Sequence, residues 1–303
     1  MLSEPSGVLI INKPSGITSH DVVNKIRRLY STRRVGHTGT LDPMASGVLV
    51  VLVGRAAKAA EYLVCDSKRY LAGLRLGITS DTEDTTGQIL TSTDDIPSPE
   101  LVRAACESFV GKYSQIPPMY SALKVGGRKL CDLARQGVTV ERQPREIEIF
   151  ELGLKKTESD NEYLLDVACS SGTYIRTLCA DIGSKLGCGG VMSSLLRTEA
   201  GGYSIDSSYS LEELEDMSEE ERISALLSVE SLFSSLPRLQ LQPFYEKLSR
   251  NGCEIYQKKI KTEFSLGQKI ALYGQNGFYA LGEVRDYHEG SAVKVVKLFD
   301  VSL

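Results

Sequence analysis

The chain reads as an α/β or α+β protein carrying a small β-rich unit at its C-terminal end. Three observations predict this. Apolar runs of strand length alternate with segments of helical period and with hairpin-like stretches. No Gly-x-Gly-x-x-Gly or Walker sequence is present, which argues against a doubly wound sheet with a glycine-rich nucleotide loop. Beyond Leu236, strands around 268–273, 278–285 and 292–299 are separated by turn residues that include the hairpin pair Asn276-Gly277.

Taken in order, Gly7 to Asn12 reads as a strand, and Ser19 as the N-cap of a helix with Val22, Val23, Ile26 and Leu29 on one face. A glycine-punctuated loop, Gly36-His37-Thr38-Gly39-Thr40-Leu41-Asp42-Pro43-Met44-Ala45-Ser46-Gly47, follows. It offers one carboxylate, Asp42, which Pro43 pushes toward an extended backbone. The apolar run Val48 to Val53 then reads as a buried strand that would hold the loop rigidly. A short helix around 56–64, a strand from Lys68 to Ile78 and a polar turn over 80–87 come next. Pro99 to Phe109 is predicted helical, and Ile116 to Lys124 a structured loop. Residues 124–145, with Gly126, Gly127 and several bases, read either as a basic arm or as a helical excursion at 129–136. Tyr163 to Cys169 alternates as a strand, and Thr173 to Leu186 as a helix stopped by Gly187, with Arg176 in its first turn. The acidic run 212–221 and the serine-rich stretch 228–235 mark a boundary, giving an expected division into 1–236 and 237–303.

Composition narrows the classes. The 303 residues are 42 % hydrophobic and 24 % charged, ordinary values for a globular protein. Seven cysteines without a Cys-x-x-Cys pair indicate neither a disulfide framework nor a zinc site, which favours a reducing cytoplasm. No apolar run reaches membrane-spanning length, so no membrane association is expected. The net charge of −4 is unevenly spread: residues 1–75 hold eleven Lys/Arg against five Asp/Glu, and residues 111–145 seven against two. Residues 211–230, with eight acids and one base, bring the total down without touching those basic segments. Either segment alone reads as a solvated face; together with the residues below they suggest a grip on nucleic acid.

Asp42 alone is most simply a turn residue before proline. Tyr70, following Lys68-Arg69, suits stacking on a base beside phosphate-binding cations, or else plain core packing. Arg176, in Ser170-Ser171-Gly172-Thr173-Tyr174-Ile175-Arg176-Thr177, suits a place beside a carboxylate, or else an exposed position. Thr40 and Thr173 are assigned no chemistry. His37 reads as a loop histidine, and the two other histidines, His20 and His288, give it no metal partner.

Together these segments resemble the TruB family of tRNA pseudouridine-55 synthases. Six ordered blocks carry the resemblance: Ile11 to Ser19, Gly36 to Leu49, Lys68-Arg69-Tyr70, Leu76 to Gly87, Gln115 to Lys124 and Cys169 to Gly183. Asn12, Ser80 and Ser171 depart from residues frequent in the family, and none of them is the expected nucleophile. The resemblance implies an α+β catalytic domain with a mixed, largely antiparallel sheet and flanking helices, plus a C-terminal PUA-like RNA-binding domain. It implies isomerisation of uridine-55 in the T-arm of tRNA: the N-glycosidic bond breaks, the base turns, and C5 bonds to the sugar carbon. No cofactor, metal, membrane or obligate protein partner is implied, and a cytoplasmic monomer is expected. By the same matching Asp42 is the nucleophile, attacking either the sugar carbon or the base. Tyr70 would stack on the uracil, Arg176 would pair with Asp42, and Tyr174, His37 and Leu195 would line the nucleotide pocket. Lys124, Arg128 and Lys129 would belong to an RNA-contacting arm.

Two other readings compete with the isomerase: an RNA chaperone that grips the T-arm without chemistry, and a carbohydrate hydrolase. The hydrolase needs two carboxylates flanking the bond, for which only Asp81 or Asp84 is available as a partner to Asp42.

Overall fold

The computed structural model describes residues 4–62, 67–121 and 123–299. The end of the helix predicted over 56–64, Cys65, Ala122 of the 116–124 loop and residues 300–303 lie outside the described residues.

The first part of the chain supplies β1 (Gly7–Lys13), α1 (Ser19–Leu29), β2 (Val35–Thr38), β3 (Ser46–Val53), β4 (Ser67–Leu76), β5 (Ile78–Ser80), β6 (Ile89–Ser92) and α2 (Pro99–Glu107). Next come β7 (Gly111–Gln115), β8 (Lys124–Val125), β9 (Arg128–Lys129), α3 (Leu130–Ala134), β10 (Arg145–Lys156), β11 (Glu162–Ser170), α4 (Ile175–Leu186) and β12 (Gly190–Ala200). A mixed sheet runs in the order β1-β3-β12-β4-β11-β10-β7, with β2 added on β3. Its main pairings are antiparallel, and the one short parallel contact sets Leu196 and Arg197 of β12 against Ser46 and Gly47 of β3. Helices flank this sheet, so the α+β expectation holds.

β3 is apolar from Val48 to Val53 because both its faces are covered. Leu49, Val51 and Val53 pack with α1, β1 and Leu211 and Leu214, whereas Val48, Val50 and Leu52 pack with Val8, Ile10 and Ala56. That alternation is the period-two geometry of a strand with two cores. β2 pairs with β3 only from Thr38↔Val50 to Val35↔Val53. Where β2 ends, β12 takes its place along the first residues of β3. The loop 39–45 therefore leaves the sheet at the point where two neighbouring strands diverge, and this opens a site above β12 and β4.

Local chemistry corrects several expectations. The N-cap of α1 is Thr18, not Ser19: Thr18 Oγ1 accepts from Asp21 N (3.1 Å) and Asp21 Oδ2 accepts from Thr18 N (2.9 Å), a reciprocal capping box. The 56–64 helix begins as a 3₁₀ stretch, Gly54–Tyr62. The strand predicted from Lys68 to Ile78 breaks at Gly77, whose φ of 87° separates β4 from β5. The acidic run 212–221 forms two short helices, α5 (Leu211–Asp216) and α6 (Glu219–Ser224), each opened by a Ser/Glu capping box. The basic segment contains the β8–β9 hairpin and then α3, so the helical excursion at 129–136 is present in part.

A second sheet of five strands collects Arg238–Gln240, Lys269–Gly274, Gly277–Tyr287, Gly290–Leu298 and Ile255–Tyr256. The Asn276-Gly277 signal is a hairpin whose two-residue loop is Gln275-Asn276, closed by the pair Gly274↔Gly277. An apolar cluster of Ala59, Phe233, Ala271, Leu281 and Phe299 joins this sheet to the 54–62 stretch.

Gly47 is a position where the fold leaves no choice of residue. Its φ is +101°, and a Cβ there would lie 2.2 Å from the Arg197 carbonyl oxygen. Gly47→Ala is expected to destabilise the protein by more than about 2 kcal/mol in urea unfolding, because strain and a backbone clash add. Gly36→Ala is the control. Gly36 has open space around its Cβ position and is expected to stay within about 0.5 kcal/mol of the parent.

Candidate active site

The loop bearing Asp42 is pinned from two sides. On one side, Ser19 Oγ donates to Leu41 O (3.1 Å) and accepts from Leu41 N (2.9 Å), Gly16 N donates to Pro43 O (2.8 Å), and Ser15 Oγ donates to Met44 O (2.8 Å). Buried Lys13 completes this clamp, with Nζ donating to Ile17 O (2.7 Å), Pro14 O (2.8 Å) and, more weakly, Pro43 O (3.4 Å). Burial lowers the Lys13 ammonium to about 8, and the charge of Asp42 partly opposes that fall. On the other side, Arg197 of β12 donates from Nε to Val48 O (2.7 Å) and from Nη2 to Gly39 O (2.8 Å).

Asp42 meets Arg176. The Nε of that buried arginine lies 2.9 Å from Asp42 Oδ2, and the Asp42 side chain stays 38 % exposed, so the carboxylate is both paired and reachable. Each terminal nitrogen of Arg176 donates to backbone: Nη1 to Thr82 O (3.0 Å) and Nη2 to Tyr120 O (2.7 Å). Asp84 stands behind it, its Oδ2 4.0 Å from Arg176 Nε and its Oδ1 accepting from Thr82 Oγ1, Thr86 N and Thr86 Oγ1. Thr177 Oγ1 donates to Glu83 Oε2 (2.6 Å), and burial pushes that carboxyl above its usual range. The turn 82–84 is thus fastened to the first turn of α4 at three successive residues.

Tyr70 and Leu195 form the floor. They lie on adjacent strands, β4 and β12, in one apolar cluster with Leu41 and Ala45. Burial raises the Tyr70 phenol, while the neighbouring Arg197 guanidinium opposes the rise through its charge. Tyr174 is the residue that caps the start of α4. Buried Gln115 holds its backbone from both ends, accepting from Tyr174 N (2.8 Å) and donating to Tyr174 O (3.1 Å). The charge of Asp42 acts on Tyr70, Tyr174 and Lys13 alike, so these groups converge on it. His37 sits on the β2 stem of the loop, lowered by burial and by Arg197, with a buried Nδ1 that has no partner.

The structure therefore brings Asp42 and Arg176 into contact, sets Tyr70 and Leu195 beneath them, and places Tyr174 and His37 at the rim. Lys124, Arg128 and Lys129 stand apart, exposed on the β8–β9 hairpin. Its base reaches the site through Ser121 O, which accepts from Cys131 N (3.0 Å) next to the Tyr120 carbonyl held by Arg176. Asp84, Lys13 and Arg197 are site residues that sequence reasoning did not assign. Asp84 and Asp42 flank one guanidinium and do not face each other across a substrate space, an arrangement unlike that of two hydrolytic carboxylates. Among the described residues, no group of three or more His, Cys, Asp or Glu is arranged to hold a metal ion, and no helix is long and apolar enough to cross a membrane.

A half-exposed carboxylate held by a buried arginine over an apolar, aromatic floor suits nucleophilic work on a flat, uncharged ring system. Comparison with known proteins identifies the system. Residues 27–175 match the N-terminal domain of TruB family pseudouridylate synthases, and residues 176–234 match a tRNA pseudouridylate synthase B C-terminal domain. A protein named tRNA pseudouridine synthase B from Alkaliphilus oremlandii is 42 % identical over 296 residues, 97 % of this chain and 98 % of its own length.

The chain belongs to the TruB family of pseudouridylate synthases.

A second protein of that name, from Syntrophotalea carbinolica, is 44 % identical over 281 residues, covering 91 % of each chain. Among solved structures, a Cbf5-Nop10-Gar1 complex aligns with a TM-score of 0.73 at 26 % identity over 97 % of this chain and 85 % of its own. An H/ACA RNP bound to a substrate RNA containing 2′-deoxyuridine aligns at 0.72 and 25 %, over 97 % and 85 %. The division between the two family matches falls at Ile175-Arg176, so both matched segments contribute residues to the candidate site described above.

The Lys13 clamp has a measurable signature. Its folded value of about 8 lies below the ordinary 10.5, so the folded protein binds fewer protons than the unfolded chain between those limits. Stability is therefore expected to rise, through this residue, as pH increases from about 8 to about 10.5, by at most about 3 kcal/mol. Urea unfolding of the parent and of Lys13→Met at both ends of this window checks it: the gain belongs to the parent and is missing from the variant.

Proposed function

We propose that this chain isomerises uridine-55 in the T-arm of tRNA to pseudouridine, with Asp42 as the attacking group and without a cofactor. The observation that carries this reading is the Asp42–Arg176 pair, 2.9 Å apart and open to solvent on the carboxylate side, above Tyr70 and Leu195. The relatives named tRNA pseudouridine synthase B support tRNA as the substrate.

In this reading a uridine leaves the folded T-loop, at a cost of about a few kcal/mol, and enters between the Asp42 loop and the apolar floor. Stacking on Tyr70 returns about 1–3 kcal/mol of that cost. Asp42 attacks the nucleoside, the N-glycosidic bond breaks, the base turns on its apolar bed, C5 bonds to the sugar carbon, and the bond to Asp42 breaks to return the carboxylate. The Tyr70 hydroxyl then relays the proton from C5 to solvent while N1 takes one up, so the product is an isomer of the substrate. Leu195 and Tyr174 confine the ring, and His37 fills space on the β2 stem of the loop near the flipped nucleotide. Residues 1–236 act as the catalytic domain and 237–303 as a PUA-like RNA-binding domain. Lys124, Arg128 and Lys129 grip the phosphates, and the protein works as a cytoplasmic monomer.

The exposed β8–β9 hairpin also favours a second activity, assistance to tRNA folding, because its bases lie outside the catalytic cluster. One variant separates the two roles. Asp42→Asn, assayed by tritium release from 5-tritiated uridine in a T-arm stem-loop, is expected to lose at least about 10³-fold in single-turnover rate and to bind the RNA within a few-fold of the parent. Full conversion by the variant would sink the assignment. A variant that binds RNA normally and gives no folding benefit would remove the chaperone role.

A further inference from the structure

Burial of an arginine is costly unless its donors are matched, and Arg197 is only 1 % exposed. The carboxylates of the site, Asp42 and Asp84, both face Arg176. Arg197 instead uses its guanidinium on neutral groups: Val48 O at 2.7 Å and Gly39 O at 2.8 Å. These two carbonyls bracket the Asp42 loop, one before it and one just inside β3. The backbone of Arg197 adds to this, pairing with Gly47 on one side and with Tyr70 on the other. A β-bulge at Arg197/Glu199 re-aims the strand at this point. The cross-strand pairing sets Arg197 directly opposite Tyr70, where the charge of its guanidinium acts on the phenol. If packing alone were required here, an apolar side chain would fill the space at lower cost.

We propose that Arg197 is a positioning residue for the isomerisation: one planar guanidinium holds both ends of the Asp42 loop in a fixed relation to Tyr70 on the neighbouring strand. The proposal rests on the roles of Tyr70 and Asp42 given above. Lysine does not substitute for this fork, because a compact ammonium cannot present donors in a fixed plane to both acceptors.

A double-mutant cycle tests it. Single-turnover rates and RNA affinities are measured for Arg197→Lys, Arg197→Met, Tyr70→Phe and Arg197→Lys/Tyr70→Phe on the T-arm stem-loop, with a thermal melt of each. Arg197→Lys is expected to lose about 10²-fold in rate with RNA affinity within about threefold, and the double variant to be no more than about threefold slower than the slower single one. Arg197→Lys carries the test should Arg197→Met fail to fold. A wild-type rate for Arg197→Lys, even with a lowered melting temperature, reduces Arg197 to a structural residue and overturns the proposal. Rate losses that multiply in the double variant overturn it too, and leave the reading of Tyr70 standing. A wild-type rate for Tyr70→Phe instead overturns that underlying reading, and the proposal with it.

Discussion

The buried guanidinium of Arg176 is the interaction on which the site depends. It touches a loop from between β2 and β3 through Asp42, the turn after β5 through Thr82 and Asp84, and the 116–121 segment through Tyr120. Three chain segments distant in sequence are thereby tied to the first turn of one helix. The seat of that helix is correspondingly tight: a Cβ on Gly183 would lie 2.1 Å from Gly190 N, so α4 and the start of β12 approach backbone to backbone. Removing the charge would leave two carboxylates close together, one of them buried, and two carbonyls without donors.

Rigidity comes from redundancy. The Asp42 loop is held by the Lys13–Ser19 segment at Leu41, Pro43 and Met44, and by Arg197 at Gly39 and Val48. The carboxylate lies between those anchors and remains exposed, so the loop is fixed on its protein side and free on its substrate side. That division suits preorganisation, in which the reacting group does not have to be ordered at the moment of reaction. The same economy appears at Tyr174, whose backbone is held at both ends by Gln115 while its ring stays half-buried at the rim.

Much of this was legible in the sequence, and the failures have physical causes. Asp42, Tyr70 and Arg176 each stand in a short block whose residue types match their task, so the resemblance could carry them into one site. Arg197 stands in an apolar Leu-Leu-Arg block in which nothing local says that an arginine is buried. β12 has no period-two signal, because bulges at Met192/Ser194 and Arg197/Glu199 reset its alternation twice. β10 lacks one for the same reason, with a bulge between Ile149 and Glu151 in a strand rich in charge. At α1 the Thr18-x-x-Asp21 pattern marks the cap, and the neighbouring Ser19 turns its hydroxyl inward to Leu41. Asp84 shows the limit of reading one residue at a time, since its place behind Arg176 exists only once the 82–84 turn meets α4.

The central claim is that the paired carboxylate of Asp42 acts on one uridine of tRNA. The most direct measurement is a position-by-position map of pseudouridine in bulk tRNA from cells lacking this gene, complemented with the parent chain or with Asp42→Asn. The account predicts that position 55 is unmodified without the gene, is restored by the parent, and stays unmodified with the variant. Modification at position 55 that survives loss of the gene, or that Asp42→Asn restores, would contradict it.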